Sequence, residues 1–365
     1  MSQLQHYLAI VAWGLSAAAL VMGWVSADAL PPAWLFVFLL LGTASLVRIA
    51  GWFSLWLDGI IAGAGVVAVL VSLPDLSPVP GYYWLALLAA WAFAWLFVER
   101  LTRAMASGLV EPGIFGFLVP LIFGVMVLVI WEAVTRGANV PSVILPPPSA
   151  IWARIAGSTS TLWADFQQTF LKAVLIGYAL GCGLGFAVAI LIDRSPFLKR
   201  GLLPLGNFVS ALPIIGVAPI MVMWFGFDWP SKAAVVVIMT FFPMLVNTVA
   251  GLNAAGAMER DLMRTYAAGY WQTLLKLRLP AAAPFIFNAL KINSTLALIG
   301  AIVAEFFGTP IVGMGFRIST EVGRMNVDMV WAEIAVAALA GSAFYGVVVL
   351  VERATTFWHP SVRSA

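Results

Sequence analysis

Charge is scarce in this chain. Of its 365 residues only 10% are Asp, Glu, Lys or Arg, against 62% hydrophobic, and the mean hydropathy is +1.01. A soluble domain carries about 25% charged residues, so a water-soluble fold is excluded. Histidine is scarcer still. His6 and His359 stand at opposite ends of the chain, which argues against a histidine-built metal or acid–base centre. The single Cys182, inside an apolar run, excludes an internal disulfide and argues against a metal–thiolate cluster. No G-x-x-x-x-G-K-[ST] phosphate loop occurs, so ATP hydrolysis by this chain is not expected. The pI near 9.1 accompanies a net charge of only +3 on dispersed basic residues, so it does not point to nucleic acid. The N-terminus lacks a basic leader and an evident cleavage site, and reads as a retained first span.

What the chain has instead is long apolar runs. A helix needs about 20 apolar residues to cross the hydrocarbon core, and ten stretches qualify: 6–26, 33–51, 54–73, 81–98, 114–134, 168–192, 203–225, 232–252, 284–305 and 329–351. The expected fold class is an all-α polytopic membrane protein. Placing the N-terminus in the cytoplasm puts 13 basic and seven acidic residues on the inner side, and six basic and nine acidic on the outer side. The positive-inside rule favours this orientation.

The spans divide into blocks. Residues 1–100 hold four spans rich in tryptophan (Trp13, Trp24, Trp34, Trp52, Trp56, Trp84, Trp91, Trp95), a ring that favours membrane interfaces. Asp58 is the one acid inside the four spans; a buried acid there could mark a pathway, and a position near the cytoplasmic interface is the plainer explanation. Residues 101–113 read as a cytoplasmic linker, 114–355 as a six-span block, and 356–365 as a cytoplasmic tail. In the sixth span Gly177, Gly181 and Gly185 repeat every four residues, a smooth strip against which another helix can pack closely.

One stretch breaks the apolar rule. Met258 to Pro284 contains six of the 35 charges: Glu259, Arg260, Asp261, Arg264, Lys276 and Arg278. Met258, Leu262, Met263 and Tyr266 fall on one helical face, with Glu259, Arg260 and Arg264 around the other. On periodicity alone this is either a docking helix or a connector lying on the lipid surface.

These residues carry a resemblance. The motifs LPPPSAIW (145–152), LPIIGVAPIMVMWFGFDWPSK (212–232), FFPMLVNTVAGL (241–252), the segment 258–284, and IGAIVAEFFGTPIVGMGF (299–316) resemble the permease subunits of bacterial binding-protein-dependent ABC importers. The nearest subgroup serves nitrate, sulfonates, taurine, riboflavin and pyrimidine precursors, and the likeness covers residues 114–355. The family's cytoplasmic coupling helix reads Glu-Ala-Ala, three residues, Gly, then Leu-Pro thirteen residues on. Anchored on Leu279-Pro280, Asp261 keeps the acid, and Arg264 and Gln272 fit the pattern. Leu262, Met263 and Ala267 depart from it, which leaves the turn open between Ala267 and Gly269.

The resemblance implies a transport subunit and no enzyme. It implies two ATPase subunits that bring ATP and Mg, a periplasmic or lipid-anchored solute-binding protein, and a second permease chain forming a homodimer. All of this would sit among the lipids of the bacterial inner membrane, with no cofactor bound by this chain itself. An ion-gradient-driven secondary transporter is the alternative, but that class favours inverted repeats and titratable groups near the midplane, and neither stands out here.

Candidate pathway residues are the polar and bulky side chains within the spans. They are Asn207 and Ser210, then Met221 and Trp224, then Asn288, Asn293 and Ser294, with Glu305 towards the outer end. Asn288, Asn293, Ser294 and Thr295 cannot all share one helix face. For each polar residue, hydrogen bonding between helices competes with solute contact. Glu305 is expected to pair with Lys232 or Arg317. Lys291 is expected to extend to the cytoplasmic headgroups, or else to attract an anionic solute.

Overall fold

The computed structural model describes residues 3–25, 35, 43, 52–73, 79–195, 197–198, 200–202, 204, 213–308 and 311–358. These belong to two compact units, 1–152 and 153–365, and every regular element among them is a helix. The first unit holds α1 (Gln3–Val25), α2 (Trp52–Ser72), α3 (Gly81–Ala106) and α4 (Pro112–Gly137), and α5 (Pro148–Gly157) straddles the division. The second holds α6 (Thr159–Phe166), α7 (Leu175–Arg194), α8 (Ile214–Phe225), α9 (Trp229–Leu252), α10 (Ala257–Thr265), α11 (Tyr270–Thr273), α12 (Leu279–Glu305), α13 (Met314–Gly323) and α14 (Val327–Thr355).

Two wider, π-helical stretches, Gln167–Val174 and Leu274–Arg278, join α6 to α7 and α11 to α12. Each join makes one continuous 36-residue span. Among the described residues, eight helices are long and apolar enough to cross a membrane. They coincide with eight of the ten expected spans. The expected span 33–51 lies almost wholly outside the described residues. Of 203–225, the described part is chiefly α8, a shorter apolar helix.

Small residues set the packing of the first unit. α1 buries Leu8, Ala9, Ala12, Ser16 and Ala19, and its neighbour α3 buries Ala86, Ala89, Ala90 and Phe93. Lipid supplies no hydrophobic drive for helix association, so close backbone approach and van der Waals contact carry it. Asp58 on α2 is buried and ion-paired with Arg100 on α3, which accounts for its burial without a pathway role. The charged connection expected at 101–113 is helical as far as Ala106. An ion pair one turn apart, Arg103 to Glu99 at 2.7 Å, supports that extension. The break comes at Gly108, whose φ of +73° suits a glycine. α4, placed by sequence in the second block, packs on α2 and α3.

In the second unit α9 packs against both α7 and α12. Gly177, Gly181 and Gly185 of α7 face α9, with backbone carbonyls of Ala233, Val237 and Phe241 where a Cβ would stand. The core joins Phe170, Val174, Val236, Ala297, Ala301, Met314 and Ala337, drawn from five elements.

Candidate functional site

α10 is built by local signals. Glu259 lies in its first turn and Arg264 in its last, each matched to the helix dipole. Arg264 donates to Asp261 at 3.2 Å, and the Thr265 hydroxyl donates to the Asp261 carbonyl at 3.0 Å. None of its residues is buried. Its apolar face is bare: Met258 is 82% exposed, Leu262 55% and Tyr266 77%. These three stand four residues apart, so they form one stripe that the described residues leave exposed.

The helix ends in a left-handed turn at Ala267, φ +51°. Ala268 N–H donates to Met263 O and Ala267 N–H to Arg264 O, both at 2.9 Å, the pairing of a Schellman stop in which glycine is the usual residue. The turn is therefore at Ala267 and not at Gly269. Gly269 has an ordinary φ of −69° and caps α11, its N–H donating to the Gln272 side chain at 3.1 Å. Pro280 falls in the first turn of α12, directly after the wider turn Leu274–Arg278. That widening accommodates a ring that would otherwise press on the carbonyl four residues back.

Sequence reasoning missed how this segment is anchored. Arg278 Nη1 and Nη2 donate to the two carboxylate oxygens of Asp193 at 2.7 and 2.6 Å, and its Nε donates to the Leu252 carbonyl at 2.9 Å. Tyr270 donates its hydroxyl to Asp193 at 3.0 Å, and the Arg194 guanidinium lies 5.6 Å from the Tyr270 ring centre. Asp193 lies in the last turn of α7 and Leu252 ends α9, so one guanidinium ties three spans at the same end of the bundle. The signal available in sequence was an arginine set between leucines, Leu277 to Leu279, directly before Pro280.

The opposite end of the unit holds a second polar cluster. Glu305 is buried, but neither Lys232 nor Arg317 pairs with it. It accepts from the Thr169 hydroxyl at 2.8 Å and from Gly315 N–H at 2.7 Å. Gly313 N–H donates to Asp165 at 2.6 Å and Met314 N–H to Thr169 at 2.8 Å. The three backbone donors that open α13 are thus all satisfied by side chains, as an unpaired helix end requires. Arg317 instead donates to Asp165 at 2.8 Å, and that bond holds its guanidinium above its ordinary pKa. Lys232 turns to the carbonyls of Phe227 and Gly308. Asp228 accepts from Trp229 N–H and from Gln168, contacts that hold its carboxyl below the usual range.

The pathway candidates separate by face. Asn293 is buried and donates to the Thr240 carbonyl at 2.7 Å and to Cys182 Sγ at 3.2 Å. Ser294 is buried and donates to Lys291 O, and Met221 is buried in a core beneath α8. Asn288 lies instead on an exposed stripe of α12 with Phe285, Ile292, Thr295 and Ile299. Trp224 is exposed at the end of α8. Asn207 and Ser210 lie outside the described residues. Lys291 pairs with Glu352 of α14 at 2.8 and 3.1 Å.

Comparison with known proteins places this arrangement. Residues 181–363, half of the chain, match the family described as the binding-protein-dependent transport system inner membrane component. The chain is 32% identical over 215 residues to a probable ABC transporter permease protein of Haemophilus influenzae, covering 59% of this chain and 87% of that one. It is 32% identical over 239 residues to the formylaminopyrimidine transport permease protein ThiX of Halalkalibacterium halodurans, covering 66% and 95%. It is 29% identical over 238 residues to the riboflavin transport system permease protein RibX of Chloroflexus aurantiacus, covering 65% and 88%. An exposed charged helix clamped to a bundle of spans, together with these matches, leads to one conclusion: the chain belongs to the binding-protein-dependent transport system inner membrane component family.

Proposed function

We propose that this chain moves a small organic solute into the cytoplasm as the permease subunit of an ABC importer, with α10 as its contact to an ATPase subunit. The observation that carries the reading is the exposed stripe Met258, Leu262 and Tyr266 on a helix whose base is fixed to the spans. An apolar stripe flanked by charges fits a groove in a soluble partner, the helix-in-groove mode of recognition. The positive-inside count supports placing α10, and the N-terminus, in the cytoplasm. One chain offers one such helix, so a pair of ATPases calls for two permease chains, most simply a homodimer.

The exposed stripe of α12 with Asn288 and Thr295, together with Trp224, supports a pathway that alternates neutral polar and flat apolar contacts. Two relatives are named for formylaminopyrimidine and riboflavin transport, which favours a small organic solute delivered by a separate binding protein. The test is co-purification with the candidate ATPase, followed by ATP hydrolysis in liposomes with binding protein and a solute panel. Asp261→Lys, or deletion of 259–269, should abolish ATPase binding while the chain still inserts in the membrane. Unchanged assembly in both variants would refute the role given to α10.

A further inference from the structure

No residue of α10 is buried, so any push delivered to it must enter the membrane through its flanks. We propose that Asp193 and Arg278 form the joint that passes this movement into α7, α9 and α12, which makes both of them positioning residues for transport. The proposal rests on the reading of α10 as the ATPase contact.

The geometry of one side chain carries the argument. Arg278 makes three hydrogen bonds of 2.6 to 2.9 Å, two to Asp193 at the end of α7 and one to the Leu252 carbonyl at the end of α9. It is itself the last residue before α12. Tyr270 adds a bond from α11 to the same carboxylate, so the returning limb is pinned to α7 at two points eight residues apart. Along α10, by contrast, the side-chain bonds are all local and exposed. The stiff connection between the segment and the spans is therefore the clamp. Its two side chains are only 7% and 14% exposed, so salt screens the pair weakly. Lysine at 278 would keep the charge but lose the planar fork that reaches both oxygens and the carbonyl together.

The experiment uses the whole permease–ATPase complex in nanodiscs, with Cys182→Ser and with Ile299→Cys as a labelling site on the exposed stripe of α12. Reactivity towards a membrane-impermeant maleimide is compared without nucleotide and after trapping with ATP, Mg and vanadate. ATP hydrolysis and ATPase retention are read on the same samples. In the parent chain, trapping should change labelling about tenfold, a coupling of ordinary size. Asp193→Asn and Arg278→Lys should keep the ATPase bound and hydrolysing, yet reduce that change to under about twofold. A full labelling response in both variants overturns the proposal. Loss of the ATPase on Asp193→Asn also overturns it, because the clamp would then only support docking. Should Asp193→Asn fail to fold, Arg278→Lys alone decides, an unchanged response again counting against the joint. A parent chain that holds no ATPase at all sinks the reading of α10 instead.

Discussion

Gly181 of α7 faces Thr240 of α9 across a gap with no room for a methyl group. A Cβ on Gly181 would overlap the threonine hydroxyl and stand 2.9 Å from the Val237 carbonyl oxygen. Gly183, two residues on, has nothing within 4 Å. The same substitution should therefore have opposite effects at the two positions. Gly181→Ala overpacks the α7–α9 contact and should cost about 1–3 kcal/mol, lowering the thermal unfolding midpoint of the purified chain. Gly183→Ala gains helix propensity without a clash and should be neutral or stabilise by about 0.5–1 kcal/mol. Equal melting of the two variants would remove close approach as the reason for these glycines.

The left-handed turn at Ala267 makes a second prediction. An L-residue in that conformation costs about 1–2 kcal/mol relative to one that avoids it. Ala267→Gly should therefore stabilise the segment by about 1 kcal/mol, and Ala267→Val should destabilise it by more. Slower amide exchange across 257–273 in the glycine variant is the measurement. Gly269→Ala should change little, because Gly269 has an ordinary φ and open space around it. A large loss at Gly269 with none at Ala267→Val would relocate the turn.

Glu305 is buried as an acceptor, not as one half of an ion pair. Both of its oxygens receive donors, from Thr169 and from Gly315. Glu305→Gln turns an amide NH₂ towards one of those donors and leaves it unsatisfied, at a cost of about 1–3 kcal/mol. Thr169→Val removes one donor to Glu305 and one acceptor from Met314 N–H, and should cost a similar amount. Combining the two should cost less than the sum of the single effects, because the residues share a hydrogen bond. Denaturation midpoints of the two single variants and the double variant test this. Strict additivity would separate the residues.

The spans were legible because bilayer thickness fixes their length and lipid forbids charge within them. The charged helix at 258–265 was legible for the converse reason, as a local excess of charge on a helical period. Partner choice was not legible. Arg278 finds Asp193 85 residues away, and Arg317 finds Asp165 152 residues away, separations at which no periodicity carries information. Composition also cannot tell which face of a span is covered. Asn288 and Asn293 have the same chemistry and lie five residues apart, yet one is exposed and the other is sealed against α9. Glu305 read as a charge in need of a counter-charge because the backbone donors at the start of α13 are invisible until the chain is folded. Ala267 occupies the place where the family pattern has glycine, and its φ of +51° lies in the left-handed region that glycine favours.

Lys291 and Glu352 offer the last test, since a lysine deep in a span invites two different functions. If Lys291 attracts an anionic solute, removing it should impair uptake whatever stands at 352. The observed pair, 2.8 Å apart and only 21% and 14% exposed, argues that its charge is already committed to α14. Lys291→Met alone strands a carboxylate, and Glu352→Gln alone strands an ammonium. Each should cost about 2 kcal/mol, less than a fully buried pair because some water reaches both groups. Lys291→Met with Glu352→Gln removes both charges and should recover more than half of that loss, because the pair's own desolvation cost disappears with it. A double-mutant cycle on thermal stability, run beside solute uptake in liposomes, separates the readings. Restored stability with restored uptake fits a structural pair. Restored stability with uptake still lost would return Lys291 to the solute pathway.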